Sequence, residues 1–186
     1  WRISTASQQL MALIENLLSV SKIERGVFGV QVQPLDWLAD VKEVVEVFKD
    51  RAEEKKQTLE FIPPTTQIPT IQADKLRINE VLSNLLANAI AYTPERGKIT
   101  VSVGAQDNLI TTHIQDNGVG IPPEALPHLF TKFFRISGKL EQGSKGTGLG
   151  LYISKSVIDM HHGKIWVESR LGQGSTFSFS LPIQNT

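Results

Sequence analysis

Three glycines stand at alternate positions directly before a stretch with helical spacing. Residues 143 to 151 read GSKGTGLGL, which places these glycines at Gly146, Gly148 and Gly150. The first N–H groups of a helix lack intrahelical partners and carry partial positive charge, so an anion such as phosphate can approach the backbone there. The spacing is not the G-x-G-x-x-G of dinucleotide sites, and no window matches the phosphate-binding pattern G-x-x-x-x-G-K-[ST]. The loop is therefore open to two interpretations, an anion site or a flexible helix start.

Two asparagines interrupt the apolar face of a predicted helix. In INEVLSNLLANAIAY, residues 78 to 92, Asn84 and Asn88 stand four positions apart and so share one face. An Asn inside a helix costs about 0.6 kcal/mol relative to Ala, so the pair asks for a reason. Either both side chains are solvated or bonded to loop backbone, or they direct amide oxygens towards a hard cation such as Mg²⁺ and its phosphates.

One carboxylate ends a predicted strand. The stretch DNGVGIPP begins at Asp116 and is ordinary turn sequence. Gly118 and Gly120 allow another group to approach the backbone, and functional groups are common at such loop starts. A carboxylate in this place could accept a hydrogen bond from an exocyclic amine such as that of adenine, and it would repel the carbonyl oxygen of guanine.

The elements that must position these groups follow from periodicity. Helical spacing covers residues 37–56, about 75–91 with Asp74 as the N-cap, and 147–161. Alternation of apolar and polar residues predicts strands at 99–103, 110–114, 165–167 and 177–181. Strands with one polar face are typical of an antiparallel or mixed sheet that is covered on one side. We therefore expect an α+β fold, a two-layer α/β sandwich in which three helices cover one face of the sheet.

A further helix is predicted ahead of this domain. Apolar residues at positions 3, 10 and 17 and at 6, 13 and 20 form a heptad seam over residues 2–24, and Gly26 ends it. A helix of roughly two to three heptads is marginal alone in water, so it needs partner helices from further chain or from a second copy.

Composition excludes several classes of function. The 186 residues contain 19 Lys and Arg against 19 Asp and Glu, so there is no electrostatic case for nucleic acid or an anionic membrane as partner. Without cysteine the chain has no disulfides, thiolate catalysis or Cys-bound metal, which fits a reducing, cytoplasmic location. No apolar run reaches the ~20 residues that span a bilayer. Because the sequence begins at Trp1, we expect a piece of a longer protein, whose possible membrane anchor stays open.

Four motifs in order resemble those of the catalytic ATP-binding domain of sensor histidine kinases, in the superfamily shared with gyrase-type ATPases. NEVLSNLLANAIAYTP resembles its N box, DNGVGIP its G1 box, LFTKFFR its F box and GTGLGL its G2 box. HHGKIWVESRLGQGSTFSFSLP is similar to the closing strands of the family. LLSVSKIERG looks like the end of the second helix of the dimerisation and phosphotransfer hairpin. The resemblance implies a Bergerat-type ATP-binding fold over residues 27–186, with a lid at about 122–145, after a hairpin segment at 1–26.

The resemblance also implies ATP and Mg²⁺ as cofactors and a role for each matching residue. Asn88 matches the Mg²⁺-binding asparagine, Asn84 its neighbour near the phosphates, and Asp116 the aspartate that reads adenine. Thr176 matches a strand threonine near adenine, and Tyr92 an aromatic of the pocket wall. The full set implied for ATP is Asn84, Asn88, Tyr92, Asp116, Gly118, Gly120, Ile121, Lys132, Arg135, Gly146, Thr147, Gly148, Leu149, Gly150, Leu151 and Thr176.

Within that set, the glycine loop and the lid are the parts implied to contact the phosphates. The glycines of residues 146–150 match those whose helix N-terminus receives the phosphates, and Arg135 and Lys132 of the lid would contact terminal phosphate oxygens. The F-box phenylalanines are better explained as packing of the lid on the core: Phe130, Phe133 and Phe134.

The chain departs from the family pattern in two places. Ala91 stands where many members have Lys or Arg, so the lid cations have to neutralise the triphosphate. The phosphoacceptor motif, a histidine followed by an acidic residue on the first hairpin helix, is absent together with the acid that would act as its base. The four histidines lack that context and are interpreted as structural: His113, His128, His161 and His162.

The expected activity is transfer of the γ-phosphoryl group of ATP to a histidine supplied elsewhere. Gyrase-type relatives place a water-activating Glu where this chain has Asn84, which cannot remove a proton, and Glu80 is a further turn away. The implied partners are the upstream phosphoacceptor helix and a response regulator receiver domain, with a homodimeric parent protein. Two alternatives stay open, a non-catalytic ATP-binding scaffold and an anti-sigma-type serine kinase of the same superfamily.

Overall fold

The computed structural model describes residues 2–136 and 146–183, except for the side chains at positions 2–6, 8 and 9. The elements follow in chain order: α1 (Arg2–Glu24), β1 (Gln33–Leu35), α2 (Trp37–Glu54), β2 (Thr58–Ile62), β3 (Ile71–Ala73), α3 (Lys75–Tyr92), β4 (Lys98–Gln106), β5 (Leu109–Asp116), α4 (Gly150–Met160), β6 (Lys164–Arg170) and β7 (Gly174–Pro182). A short 3₁₀ turn, Leu126–His128, lies in the predicted lid, of which residues 137–145 are outside the described residues.

A five-stranded mixed sheet forms one layer, in the order β2-β4-β5-β7-β6. Only β2 and β4 run parallel, and the other neighbours are antiparallel. Along β4, buried Ile99, Val101 and Val103 alternate with more exposed residues, as a sheet covered on one face requires. Helices α2, α3 and α4 pack on that face, which confirms the predicted two-layer α+β sandwich.

The central helix-to-sheet contact is made by Trp37, the first residue of α2. Its side chain is fully buried and meets Phe179 of β7 edge to face at 5.9 Å between ring centroids. The indole Nε1–H donates to the Thr112 hydroxyl of β5 at 2.8 Å. This bond satisfies two polar groups inside the core and fixes α2 on the sheet.

The predicted N-cap of α3 is confirmed and links three segments. The Asp74 carboxylate accepts from the N–H of Arg77 at 3.2 Å and from the N–H of Gln31 at 2.8 Å. The Asp74 N–H in turn donates to Nε2 of His161, whose Nδ1 lies 2.8 Å from the carbonyl oxygen of Val157. His161 is buried at the end of α4, so α3 and α4 are fastened together at this end of the domain.

Helix α4 begins at Gly150, three residues later than predicted. Gly148 has a φ of +73°, which no α-helix contains, and the Thr147 hydroxyl accepts from the N–H of Leu149 at 3.1 Å. The two small elements β1 and β3, which pair antiparallel, and the edge strand β2 were not among the predicted strands.

Helix α1 exposes a wide apolar face. The exposed fractions of five side chains run from 47% to 59%: Leu10, Met11, Ile14, Leu17 and Leu18. Gly26 follows the helix with a φ of +65°, as predicted for its end. Within residues 2–136 and 146–183, no helix combines the length and apolar character needed to cross a bilayer.

Candidate functional site

A cavity of about 410 Å³ opens between α3, α4 and the ends of β5 and β7. This volume is in the range of small-molecule sites, about 300–1,000 Å³. Most of the residues predicted to bind ATP line it: Asn84, Asn88, Tyr92, Asp116, Gly120, Ile121, Arg135, Gly146, Thr147, Gly148, Gly150 and Leu151. The structure thus brings together motifs that are far apart in the sequence.

Asp116 supplies a carboxylate to the cavity. It is the last residue of β5, only 7% exposed, and its Oδ1 accepts from the N–H of Gly118 at 2.8 Å. Burial raises the pKa of this carboxyl, and hydrogen bonds from the backbone of Gly118 and Ser175 partly oppose the rise. The group therefore combines limited contact with water and an acceptor directed at a cavity.

Asn84 and Asn88 lie one turn apart on α3 and both line the cavity. Nδ2 of Asn84 donates to the Ser154 hydroxyl of α4 at 3.0 Å. Asn84 therefore has features of both interpretations, since its side chain forms a hydrogen bond within the protein and also lines the cavity.

Gly148 and Gly150 are required because neighbouring residues of the protein leave no room for a side chain at either position. A Cβ on Gly148 would lie 2.8 to 3.1 Å from backbone atoms of Phe133, whose N–H donates to the Gly148 carbonyl at 2.9 Å. A Cβ on Gly150 would lie 2.4 Å from Oδ1 of Asn84. The close approach that the glycine loop permits is therefore to the lid and to α3, which together hold the start of α4 at the cavity.

Helix α1 supplies a wall that sequence reasoning missed. Ala12, Leu13 and Asn16 line the cavity, and Nδ2 of Asn16 lies 3.5 Å from the Thr147 hydroxyl. Asn16 and Thr147 are 131 positions apart, and the heptad pattern of α1 indicated only helix pairing, so no local signal could have found this contact. Further lining residues that were not predicted are Ala89, Leu129, Phe134, Ile136, Ser175 and Phe177.

Four predicted ATP-binding residues do not line the cavity in the structure. Gly118 lies behind Asp116 and donates to it, and Leu149 is fully buried. Thr176 lies between Ser175 and Phe177, and these two neighbours line the cavity instead, because adjacent side chains of a strand point to opposite faces. Lys132 is the fourth and has other partners.

Lys132 contacts α1 and α4. Its ammonium forms an ion pair with Glu24, the last residue of α1, and lies 5.2 Å from the ring centroid of Tyr152. The hydrogen bond to Glu24 raises the pKa of Lys132. Lys132 thus links the lid to α1 in this structure, and its phosphate contact stays a prediction.

The F-box phenylalanines divide into two groups. Phe130 and Phe134 pack against the core, as expected. Phe133 is 61% exposed and has a φ of +60°, so its interpretation as packing was wrong. A bulky residue in that backbone region is unusual and is held there by the contact with Gly148.

The histidines lie apart from the cavity, since none of the four is among its described lining residues. His113 is on β5, where its Nδ1 lies 2.8 Å from the Ser178 hydroxyl, and His161 is the buried cap of α4. His162 follows in the turn, and His128 ends the 3₁₀ turn.

The fold and this site define a known class of nucleotide-binding protein. The family profile of histidine kinase-, DNA gyrase B- and HSP90-like ATPases matches residues 73–185, and the chain belongs to this family. Within it, the chain carries the catalytic ATP-binding domain found in sensor histidine kinases, as three comparisons indicate.

The adaptive-response sensory kinase SasA of Synechocystis sp. is 38% identical over 173 residues, which cover 92% of this chain and 44% of that protein. Full-length ShkA in complex with AMPPNP superposes with a TM-score of 0.86 at 26% identity, over 98% of this chain and 37% of that one. The histidine kinase ThkA in complex with the response regulator protein TrrA gives a TM-score of 0.75 at 26% identity, over 98% and 50%. The chain spans less than half the length of the curated relatives it matches.

Proposed function

We propose that this chain holds Mg²⁺-ATP in the cavity and presents its γ-phosphoryl group to a histidine on a helix outside this sequence. The observation that carries the proposal is the shared cavity of Asp116, Asn88 and the start of α4. One end of that cavity offers a buried acceptor for a base, and another offers the first N–H groups of a helix, which have no intrahelical acceptor, for phosphates.

At the base end, the Asp116 carboxylate accepts a hydrogen bond from the exocyclic amine of adenine. A guanine would direct its carbonyl oxygen at the same carboxylate, so the site selects against GTP. The apolar side chains of Ile121 and Phe177 line the same cavity and supply contact area for the ring. Base choice then rests on the Asp116 carboxylate, which is only 7% exposed.

At the phosphate end, the residues present fit Mg²⁺. The described residues contain no group of three or more His, Asp or Glu side chains that could hold a metal by themselves. Mg²⁺ instead suits one or two protein oxygens combined with phosphate oxygens and waters. Asn88 lines the cavity, and its amide oxygen would be one such ligand. When bound, the ion would neutralise charge on the phosphates. Arg135 lines the same cavity and would add a cation near the terminal phosphate.

Phosphoryl transfer to a protein histidine is favoured over hydrolysis. Hydrolases of the superfamily have a Glu that acts as general base at the position of Asn84. Asn84 has an amide there, and its nitrogen donates a hydrogen bond to Ser154. An amide cannot remove a proton from water, so ATP is kept for another nucleophile. The domain contributes positioning and charge neutralisation to an in-line transfer.

The partners follow from the family. ThkA forms a complex with the response regulator TrrA, and we propose a receiver domain as the onward acceptor here too. We also propose a cytoplasmic site of action and a homodimeric parent protein, joined through the exposed apolar face of α1.

The test is the chemistry of the phosphorylated product. The parent protein with its upstream hairpin helix should take up label from γ-labelled ATP, and the label should be lost in acid and kept in base, as for phosphohistidine. The chain of 186 residues alone should bind Mg²⁺-ATP and release little phosphate. An acid-stable label would indicate a serine kinase, rapid phosphate release a hydrolase, and binding without labelling of the parent protein a scaffold.

A further inference from the structure

Ser154 is a buried hydroxyl on the inner face of α4, only 3% exposed. An apolar side chain of similar size would fill this position without a polar atom to satisfy. Buried hydroxyls in native proteins have hydrogen-bond partners, and the partner here is Nδ2 of Asn84 at 3.0 Å. The bond joins α3 to α4 directly beside the cavity, since Asn84 lines it.

An asparagine amide has two different ends, and the environment of Asn84 distinguishes them. The NH₂ end donates to Ser154, which leaves Oδ1 nearest to Gly150, 2.4 Å from the place a Cβ would occupy. Gly150 is the first residue of α4, where backbone N–H groups have no intrahelical acceptor. An amide oxygen is favoured beside those donors and an amide NH₂ is not. The Ser154 hydroxyl, which can donate or accept, accepts from the NH₂ end in this orientation and so stabilises it.

We propose that Ser154 is a positioning residue that orients the amide of Asn84 with its oxygen towards the cavity. This inference rests on the proposed function. With its oxygen forward, Asn84 accepts hydrogen bonds and repels bare phosphate oxygens. It therefore supports a cation or a water bound to that cation, and its contribution to nucleotide affinity depends on Mg²⁺.

The measurement is the metal advantage, defined as the dissociation constant of ATP in EDTA divided by that in excess Mg²⁺. In Ser154→Ala the NH₂ group of Asn84 loses its hydrogen-bond acceptor, and the amide can turn this group towards the phosphates. The metal advantage should fall about five-fold, the equivalent of one hydrogen bond of about 1 kcal/mol. Affinity in EDTA should stay unchanged or improve, which loss of packing alone would not produce.

Two further variants separate orientation from structure. Ser154→Thr keeps a hydroxyl at the same place and should restore the metal advantage. Ser156→Ala removes a hydroxyl from the same helix that accepts nothing from α3 and bonds instead to the Tyr152 carbonyl at 3.0 Å, so it should leave the ratio unchanged. Thermal unfolding of each variant verifies that the domain remains folded.

The outcomes separate this inference from the proposed function. If the unchanged chain does not bind ATP, both fail. If it binds ATP with a metal advantage and Ser154→Ala retains that advantage, or loses affinity equally with and without Mg²⁺, the inference is overturned and the proposed function stands. A wild-type chain without any metal advantage also overturns the inference.

Discussion

Replacing Asp116 by Asn removes one charge and almost no volume, and the structure indicates how the new amide would lie. The N–H of Gly118 donates to Oδ1 at 2.8 Å, so the amide of Asp116→Asn would keep its oxygen towards Gly118 and turn its NH₂ to the cavity. The adenine amine would then meet a donor in place of an acceptor. A guanine carbonyl oxygen would meet the donor it requires.

The magnitude follows from the type of bond that is lost. A hydrogen bond to a charged group contributes about 1.5–3 kcal/mol, and each 1.4 kcal/mol is about tenfold in affinity. ATP should therefore bind about 10- to 100-fold more weakly to Asp116→Asn, while the affinity for GTP should rise relative to ATP.

The assay is calorimetry with ATP and GTP at pH 7.5 in Mg²⁺. Asp107→Asn provides the matched control, because Asp107 is exposed in the turn between β4 and β5 and the exchange removes the same charge. The control should bind ATP as the unchanged chain does. An Asp116→Asn variant with unaltered ATP affinity would refute the assignment of Asp116 as the base-reading acceptor.

Three other predictions concern pH, backbone and core. Burial raises the pKa of Asp116 above its ordinary value of 3.8 in the free site, and a donor such as the adenine amine favours the charged carboxylate. ATP affinity should therefore fall as the pH is lowered through that raised pKa. Measurement of ATP affinity between pH 4 and 8 checks this, and an affinity that does not change with pH would contradict it. Gly120→Ala should destabilise the domain by about 2 kcal/mol or more in urea unfolding, because Gly120 has a φ of +68° and an added Cβ would lie 2.1 Å from the last carbonyl oxygen of β6. Gly29→Ala is the control and should be nearly neutral, since an added Cβ there would meet open space. Equal destabilisation by the two substitutions would refute the reasoning. Trp37→Phe leaves the Thr112 hydroxyl buried without its donor and should lower the free energy of unfolding by about 1–3 kcal/mol. Adding Thr112→Val removes the unsatisfied hydroxyl and should recover part of this stability. A double variant that is no more stable than Trp37→Phe would argue against the hydrogen bond as the cause.

The sheet was largely predictable because apolar and polar residue types alternate along its strands. Strands β4, β5, β6 and β7 have one polar face and one apolar face, so a period of two identified them. Strand β2 was missed for a physical reason: it lies at the edge of the sheet, and only Leu59 of its five residues is buried. Strands β1 and β3 have three residues each, too few to establish a period.

Within the site, local motifs predicted what local sequence determines. Asp116 and Asn88 lie in short motifs, and both were expected on one cavity. Thr176 was expected there too, but strand register places its neighbour Ser175 opposite Asp116 and at the cavity. The contribution of Asn16 depends on packing of α1 against a loop far along the chain, and composition and period carry no information about that.

The central claim is that Asp116 reads the base of a nucleotide whose phosphates lie at the start of α4. The most direct measurement is a crystal structure of the chain with Mg²⁺ and a non-hydrolysable ATP analogue. We expect the adenine amine about 3 Å from the Asp116 carboxylate and the phosphates against residues 146–150. An analogue that occupies another surface, or one whose amine faces away from Asp116, would contradict the account.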